Sequence, residues 1–289
     1  MTIPILSWLK SALTDTQRDG SFEAFYKNGQ LKSREVRRNG ERNGLFESYF
    51  ENGQIEAKGQ FKDGVEDGQW EKFHESGELK FQGSYKEGKL DGAQSWLYRN
   101  GALRERQVYK DGRNNGLWET YHENGQLKSR GTHQDGKRDG PFEVFYNNCQ
   151  LRAKGHHQDD KREGPYESYH ENGQLESRGN YLGGKREGPW ETYHENGQLE
   201  SRGSYLDGKQ GGPWETFHDN GQLKSSGAYR HGKREGCFVE YHHTSRLLVK
   251  EHYKDGKQDG LYESYDENSQ LKTRGTFNNG VLNGSYELY

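Results

Sequence analysis

Apolar side chains are scarce in this chain of 289 residues. They make up 28% of it, against 30% charged. That excludes an ordinary aliphatic core, because typical domains are nearer half apolar. Two cysteines, Cys149 and Cys237, are too few for a disulfide framework and show no metal-ligand spacing. They read as free thiols of a reducing compartment, and the expected localisation is cytoplasmic. No run approaches the ~18 apolar residues of a membrane-spanning helix. Met1 to Lys10 lacks the basic start and cleavage site of a signal peptide. A net charge of −3 leaves no basic excess for general nucleic-acid binding, so no nucleic-acid partner is expected.

Few aliphatics and many charges also describe disordered chains. Here 19 Tyr, 12 Phe and 6 Trp argue for packing, and 40 glycines recur at fixed places. Glycine stands at 20, 44, 68, 92 and onward to 284, always 24 residues apart. The spacing predicts eleven full repeats and a final half repeat over 20–289.

Positions within a repeat are numbered here from that glycine as zero. Position 2 is aromatic in eleven of twelve cases, as at Trp190, and so is position 5, as at Tyr193. Position 11 is aliphatic throughout, from Leu31 to Leu271. Positions 8 and 9 read Asn-Gly in seven repeats, and positions 19 and 20 read Asp-Gly or Asn-Gly in seven. Such dipeptides between strand-like runs mark type I′ hairpin turns, whose two central residues need φ > 0. Pro141, Pro165, Pro189 and Pro213 fall at position 1, where a strand can begin without losing a ladder bond. The expected fold class is all-β: an elongated antiparallel meander of about 23 strands in a single-layer twisted sheet, on the order of 110 Å long if straight.

Two-residue turns would set position i of the first strand opposite position 17 − i of the second. Glu191 then faces Arg202, and Glu167 faces Arg178, as opposite charges across strands should. Trp190 would lie over Gly203, a ring protecting a strand glycine. One face then carries positions 2, 11 and 17. The other carries Glu, Lys or Arg, and the position-5 aromatics. Residues 1–19 form a separate N-terminal segment, expected to hold a short capping helix: Pro4 suits a first turn, and Ile5, Leu6, Leu9, Ala12 and Leu13 share a helical face. At the other end, Tyr286 to Tyr289 leaves a strand edge through which a partner or a second copy could add.

No P-loop, dinucleotide fingerprint or nucleophile elbow is present. Histidines at position 6 (His74, His122, His170, His194, His218 and His242) form a row. Neighbours would stand ~9.6 Å apart, too far to share a zinc ion. His156, His157, Asp159 and Asp160 are the local exception. The chain is expected to be no enzyme and to hold no catalytic, cofactor or metal site. A protein partner would be held by the position-5 row with its flanking charges: Tyr121, Tyr169, Tyr193 and Phe217, with Arg130, Arg178 and Arg202. Aromatics and Arg are the usual interface anchors.

The string Gly-x-Trp-Glu-x-Tyr-His-Glu-Asn-Gly-Gln-Leu-Lys/Glu-Ser-Arg-Gly, seen from Gly116 and again from Gly188, resembles the MORN repeat variant family, whose bacterial members are commonly labelled YwqK-type antitoxins. The resemblance covers 20–289. It implies a hairpin array that neutralises a toxin by binding it, as an antitoxin or immunity protein. Better-known MORN proteins imply an alternative, a peripheral membrane or lipid-associated scaffold. The near-neutral charge speaks against simple attraction to acidic lipids.

Overall fold

The computed structural model describes residues 19–284 and 286–289. The expected capping helix lies outside them. The chain divides into two compact units, Met1–Arg138 and Asp139–Tyr289. Each is an antiparallel sheet of consecutive hairpins, and among the described residues no helix occurs. The described residues hold 26 strand segments rather than about 23. Three of the longer strands are interrupted near position 23, as at Lys161–Arg162 and Gly164–Tyr169.

A regular repeat is seen at Lys185–Tyr193 and Leu199–Leu206. Positions 19 and 20 form the expected two-residue turn. Asp207 (φ 53°) and Gly208 (φ 79°) are both left-handed, and Leu206 pairs with Lys209 across them. That is type I′ geometry.

The other turn differs from expectation. In each Asn-Gly at positions 8 and 9 only the glycine is left-handed, as at Gly197 (φ 82°). The Gly197 amide donates to the His194 carbonyl at 2.8 Å, and the His194 amide donates to the Gln198 carbonyl at 2.8 Å. This is a three-residue loop: a type I turn closed by a left-handed residue. The Asn196 side chain accepts from the Gln198 amide at 3.0 Å, holding the loop shut. One strand residue, Glu200, becomes extra, and Tyr193 pairs with Leu199. Position 11 thus stands opposite position 5 rather than beside position 2, which corrects the face expected for it.

A second irregularity lies between hairpins. Gly179 pairs with Trp190 and Asn180 with Glu187, so Gly188 and Pro189 are extra on their strand. Gly188 takes φ 72° there. Pro189 is therefore not at a strand start but inside Lys185–Tyr193, at a bulge, another place where proline is tolerated.

The register is otherwise as expected. Glu191 pairs with Arg202, and Trp190 with Gly203. The ring, however, covers the glycine of the preceding hairpin. A Cβ on Gly179 would fall 2.1 Å from Trp190 Cε3, while Gly203 is covered by Trp214 at 1.8 Å. Gly59 with Trp70 and Gly227 with Phe238 repeat the pattern. Trp70, Trp190, Trp214 and Phe238 thus each dock one hairpin on the one before, whereas Trp118 and Phe142 cover Gly131 and Gly155 of their own hairpins.

Between these rings stand the position-17 aromatics. Tyr181, Trp190, Tyr205 and Trp214 meet edge to face, with centroids 5.3–6.0 Å apart. Arginine closes the row from outside: the Arg186 guanidinium lies 4.2 Å from the Trp190 centroid, and its Nη1 donates to the Tyr205 hydroxyl at 3.0 Å. Trp190 is only 1% exposed. In the first unit, Ala57, Phe61, Trp70 and Phe81 form the equivalent core. A single-layer sheet thereby gains a core of stacked rings on one face, as a repeat array requires.

Candidate binding face

With the rings gathered on one face, the opposite face carries positions 3, 5 and 14. Position-3 glutamates are its hubs. Glu191 accepts from the Tyr193 hydroxyl at 2.6 Å and from Arg178 Nε at 2.5 Å. Arg178 Cζ in turn lies 5.8 Å from the Tyr193 centroid. One repeat on, Arg202 Nε donates to Glu215 at 2.5 Å, and its Cζ lies 5.6 Å from the Phe217 centroid. One repeat back, Lys154 reaches Glu167 at 2.8 Å, and Tyr169 donates to the same carboxylate.

The expected ion pairs are thus displaced. Arg202 stands opposite Glu191, yet it bonds Glu215 of the next hairpin, and Arg178 bonds Glu191 rather than Glu167. Each position-14 cation lies between two hairpins, and here it chooses the following one. Arg34 and Arg274 keep the expected partner, at 2.9 Å from Glu23 and 2.8 Å from Glu263.

Tyr169, Tyr193, Phe217, Arg178 and Arg202 therefore come together in the second unit as a lattice of three adjoining clusters, each a cation, a carboxylate and a ring. Their rings are half-buried and their guanidiniums exposed. Tyr121 and Arg130 belong to the first unit. There the Tyr121 hydroxyl donates to Glu119 at 2.8 Å, and Glu119 pairs across strands with Arg130. Glu167, Glu191 and Glu215 were absent from the expected set. The recurrence of Glu at position 3, in ten of twelve cases, was the available signal.

The same bonds shift the titrations. Lys154, then Tyr169, hold the Glu167 carboxyl below its ordinary range. Tyr193 does the same for Glu191 and Arg178 adds to it, against the opposing effect of burial. Burial, then the bond to Glu191, pushes the Tyr193 hydroxyl up.

The histidine row has a structural use. Nε2 of His170, His194 and His218 bonds the carbonyl of the next position-5 residue: Tyr193 at 2.7 Å, Phe217 at 3.1 Å and Tyr241 at 3.0 Å. A carbonyl only accepts, so Nε2 carries the proton. Tyr26, Tyr98 and Tyr146 make the same stitch with their hydroxyls. His157 lies against Phe142, with ring centroids 4.4 Å apart. Among the described residues no cluster of three or more His, Cys, Asp or Glu could hold a metal ion. Nor is any helix there long and apolar enough to cross a membrane.

A family model described as MORN repeat variant matches residues 18–39, 42–63, 66–87, 114–135, 162–182, 186–207, 210–231 and 258–279. It passes over the stretches that begin near Gly92, Gly140 and Gly236, although strands pair there in the same register. Among curated proteins none matches this chain. A solved structure, "Crystal Structure of TcdB2-TccC3-Cdc42", is similar at 12% identity over 92% of this chain, with a TM-score of 0.19. This chain spans 14% of the length of that one.

Proposed function

The chain belongs to the MORN repeat variant family, and from that premise we propose that it is a non-enzymatic, protein-binding array of eleven 24-residue hairpins. The reading is a cytoplasmic antitoxin or immunity protein of the YwqK type that neutralises a toxin by direct contact. The observation that carries the binding claim is the lattice of the second unit. Arg178 and Arg202 are 56% exposed at the side chain, yet each is held by a carboxylate and an aromatic ring. Side chains ordered in advance lose little conformational freedom on binding, and aromatic and Arg anchors dominate interface energies.

The test is capture of partners from the native host by the intact protein, followed by affinity measurements on the purified pair. Tyr169→Ala with Tyr193→Ala, and separately Arg178→Ala with Arg202→Ala, are expected to weaken binding by about 2 kcal/mol or more. An unchanged affinity removes the assignment. Sedimentation with acidic liposomes tests the alternative: lipid binding without any protein partner would replace this reading with a peripheral scaffold.

A further inference from the structure

One row of the binding face carries no charge. Positions 1 and 16 stand opposite each other, as Leu45 does with Gln60 and Pro189 with Ser204. From Ser21 to Thr276 these 22 positions include no Asp, Glu, Lys or Arg, in a chain that is 30% charged. Position 16 is limited by packing of its own, although Gln60, His156 and His252 show that it need not be small or branched. It packs against the bulge glycine, where a Cβ on Gly44 would meet Val36 Cβ at 3.0 Å. Position 1 has no such constraint. Leu45 is 72% exposed, and Pro165, Pro189 and Pro213 are exposed too. Its identity drifts among Ser, Leu, Gln, Ala, Pro and Cys. Folding alone gives an exposed position no reason to accept six residue types and refuse charge. A partner that must be met by uncharged surface does.

Open depressions follow this row at equivalent positions of both units. One of about 560 Å³ is lined by Val36, Leu45, Phe46 and Gln60 between Arg34, Glu47, Lys58 and Glu71. One of about 460 Å³ is lined by Pro165, Asn180 and Pro189 between Glu167, Arg178 and Glu191. The charged walls are already paired, with Lys58 2.6 Å from Glu71 and Arg178 2.5 Å from Glu191. The trough therefore offers no unpaired charge to a ligand, and a charged occupant would be desolvated there without compensation.

Its period selects a conformation. Within a unit, consecutive position-1 side chains stand two strand spacings apart, roughly 9.5 Å. A polyproline II helix has three residues per turn and rises ~3.1 Å per residue, so it presents the same side every ~9.3 Å. A β-strand returns to the same side every ~6.7 Å and falls out of step.

We infer that the trough docks an uncharged polyproline II segment of a protein partner, laid across the strands, with one apolar side chain to each hairpin. The inference rests on the protein-binding reading and adds the chemistry of the segment bound. The lattice of Tyr193, Arg178 and their equivalents flanks the trough and contacts the rest of the partner.

The test titrates the intact protein with a fluorescent peptide of four Leu-Pro-Pro units, followed by anisotropy. Binding is expected to tighten several-fold from two units to four. It is expected to be lost with Leu45→Lys plus Pro189→Lys, exposed sites at which circular dichroism should stay unchanged. Equal binding of a Leu-Pro-Pro-Pro peptide of the same length overturns the proposal, and so does no binding at millimolar peptide. A chito-oligosaccharide that binds where the peptide does not would assign the row to glycans instead. With a captured partner, loss of affinity in the Tyr169→Ala, Tyr193→Ala variant but not in the lysine variant sinks the trough alone. No loss in either sinks the binding face as well.

Discussion

The hairpin at Gly188 and the one at Gly92 share a backbone and differ in almost everything packed on it. In the first, Trp190 lies on Gly179 under Arg186. In the second, position 2 is Gln94, which is wholly buried, and its Nε2 donates to the Ser84 carbonyl at 2.9 Å. The aromatic has moved to Trp96, which meets Phe81 at 5.3 Å and Tyr109 at 6.3 Å. Position 15 is Gln107 rather than glycine, so Trp118 has no gap on that side and covers Gly131 of its own hairpin. Strand pairing nevertheless keeps its register, Gly92 with Tyr109 and Gly188 with Tyr205. Turns and bulges set the register; the rings set how firmly one hairpin holds the next.

Four substitutions sharpen that contrast, measured as urea unfolding of the full chain. Trp190→Ala should cost about 3–5 kcal/mol, because it empties the best-packed site. Gln94→Ala should cost less, about 1–3 kcal/mol, since it removes a buried bond and less volume than the loss of an indole. Equal costs would mean that the rings add nothing special. Gly179→Ala should cost about 1–3 kcal/mol, because its Cβ would meet a ring that has no slack. The turns give smaller effects. Ser245 holds φ 65° where the loop normally has glycine, so Ser245→Gly should stabilise by roughly 0.5–1 kcal/mol.

Acid separates the two faces. Glu167 and Glu191 have carboxyls held below the ordinary value of 4.5 by Lys154, Tyr193 and Arg178. A depressed folded value means that their contribution is complete above the ordinary value and is lost as pH falls through the lower one. Glu167→Gln with Glu191→Gln should therefore flatten the loss of stability below about pH 4.5. The Trp190→Ala protein should keep the wild-type slope. Arg178→Ala, an exposed pair, should change stability by less than ~1 kcal/mol.

Much of this was legible in the sequence. The 24-residue step, the type I′ turn and the Glu–Arg facing are written in glycine spacing and charge alternation. The loop at His194 to Gln198 was misread because Asn-Gly suits both a type I′ turn and a type I turn closed by a left-handed glycine. The bulge at Gly188 and Pro189 was invisible because two extra residues leave the alternation of faces unchanged. The choice of Trp190 between Gly179 and Gly203, and of Arg202 between Glu191 and Glu215, is not in the period either. Each of these groups stands between two equivalent partners, and only the twist and packing of neighbouring strands selects one.

Which glycine each ring covers decides how one hairpin is held to the next. A double-mutant cycle tests it most directly. Gly179→Ala, costly in the natural protein, is expected to become nearly neutral once Trp190 is Ala, while the cost of Gly203→Ala is unchanged in that background. Coupling of Trp190 to Gly203 in place of Gly179 would contradict it.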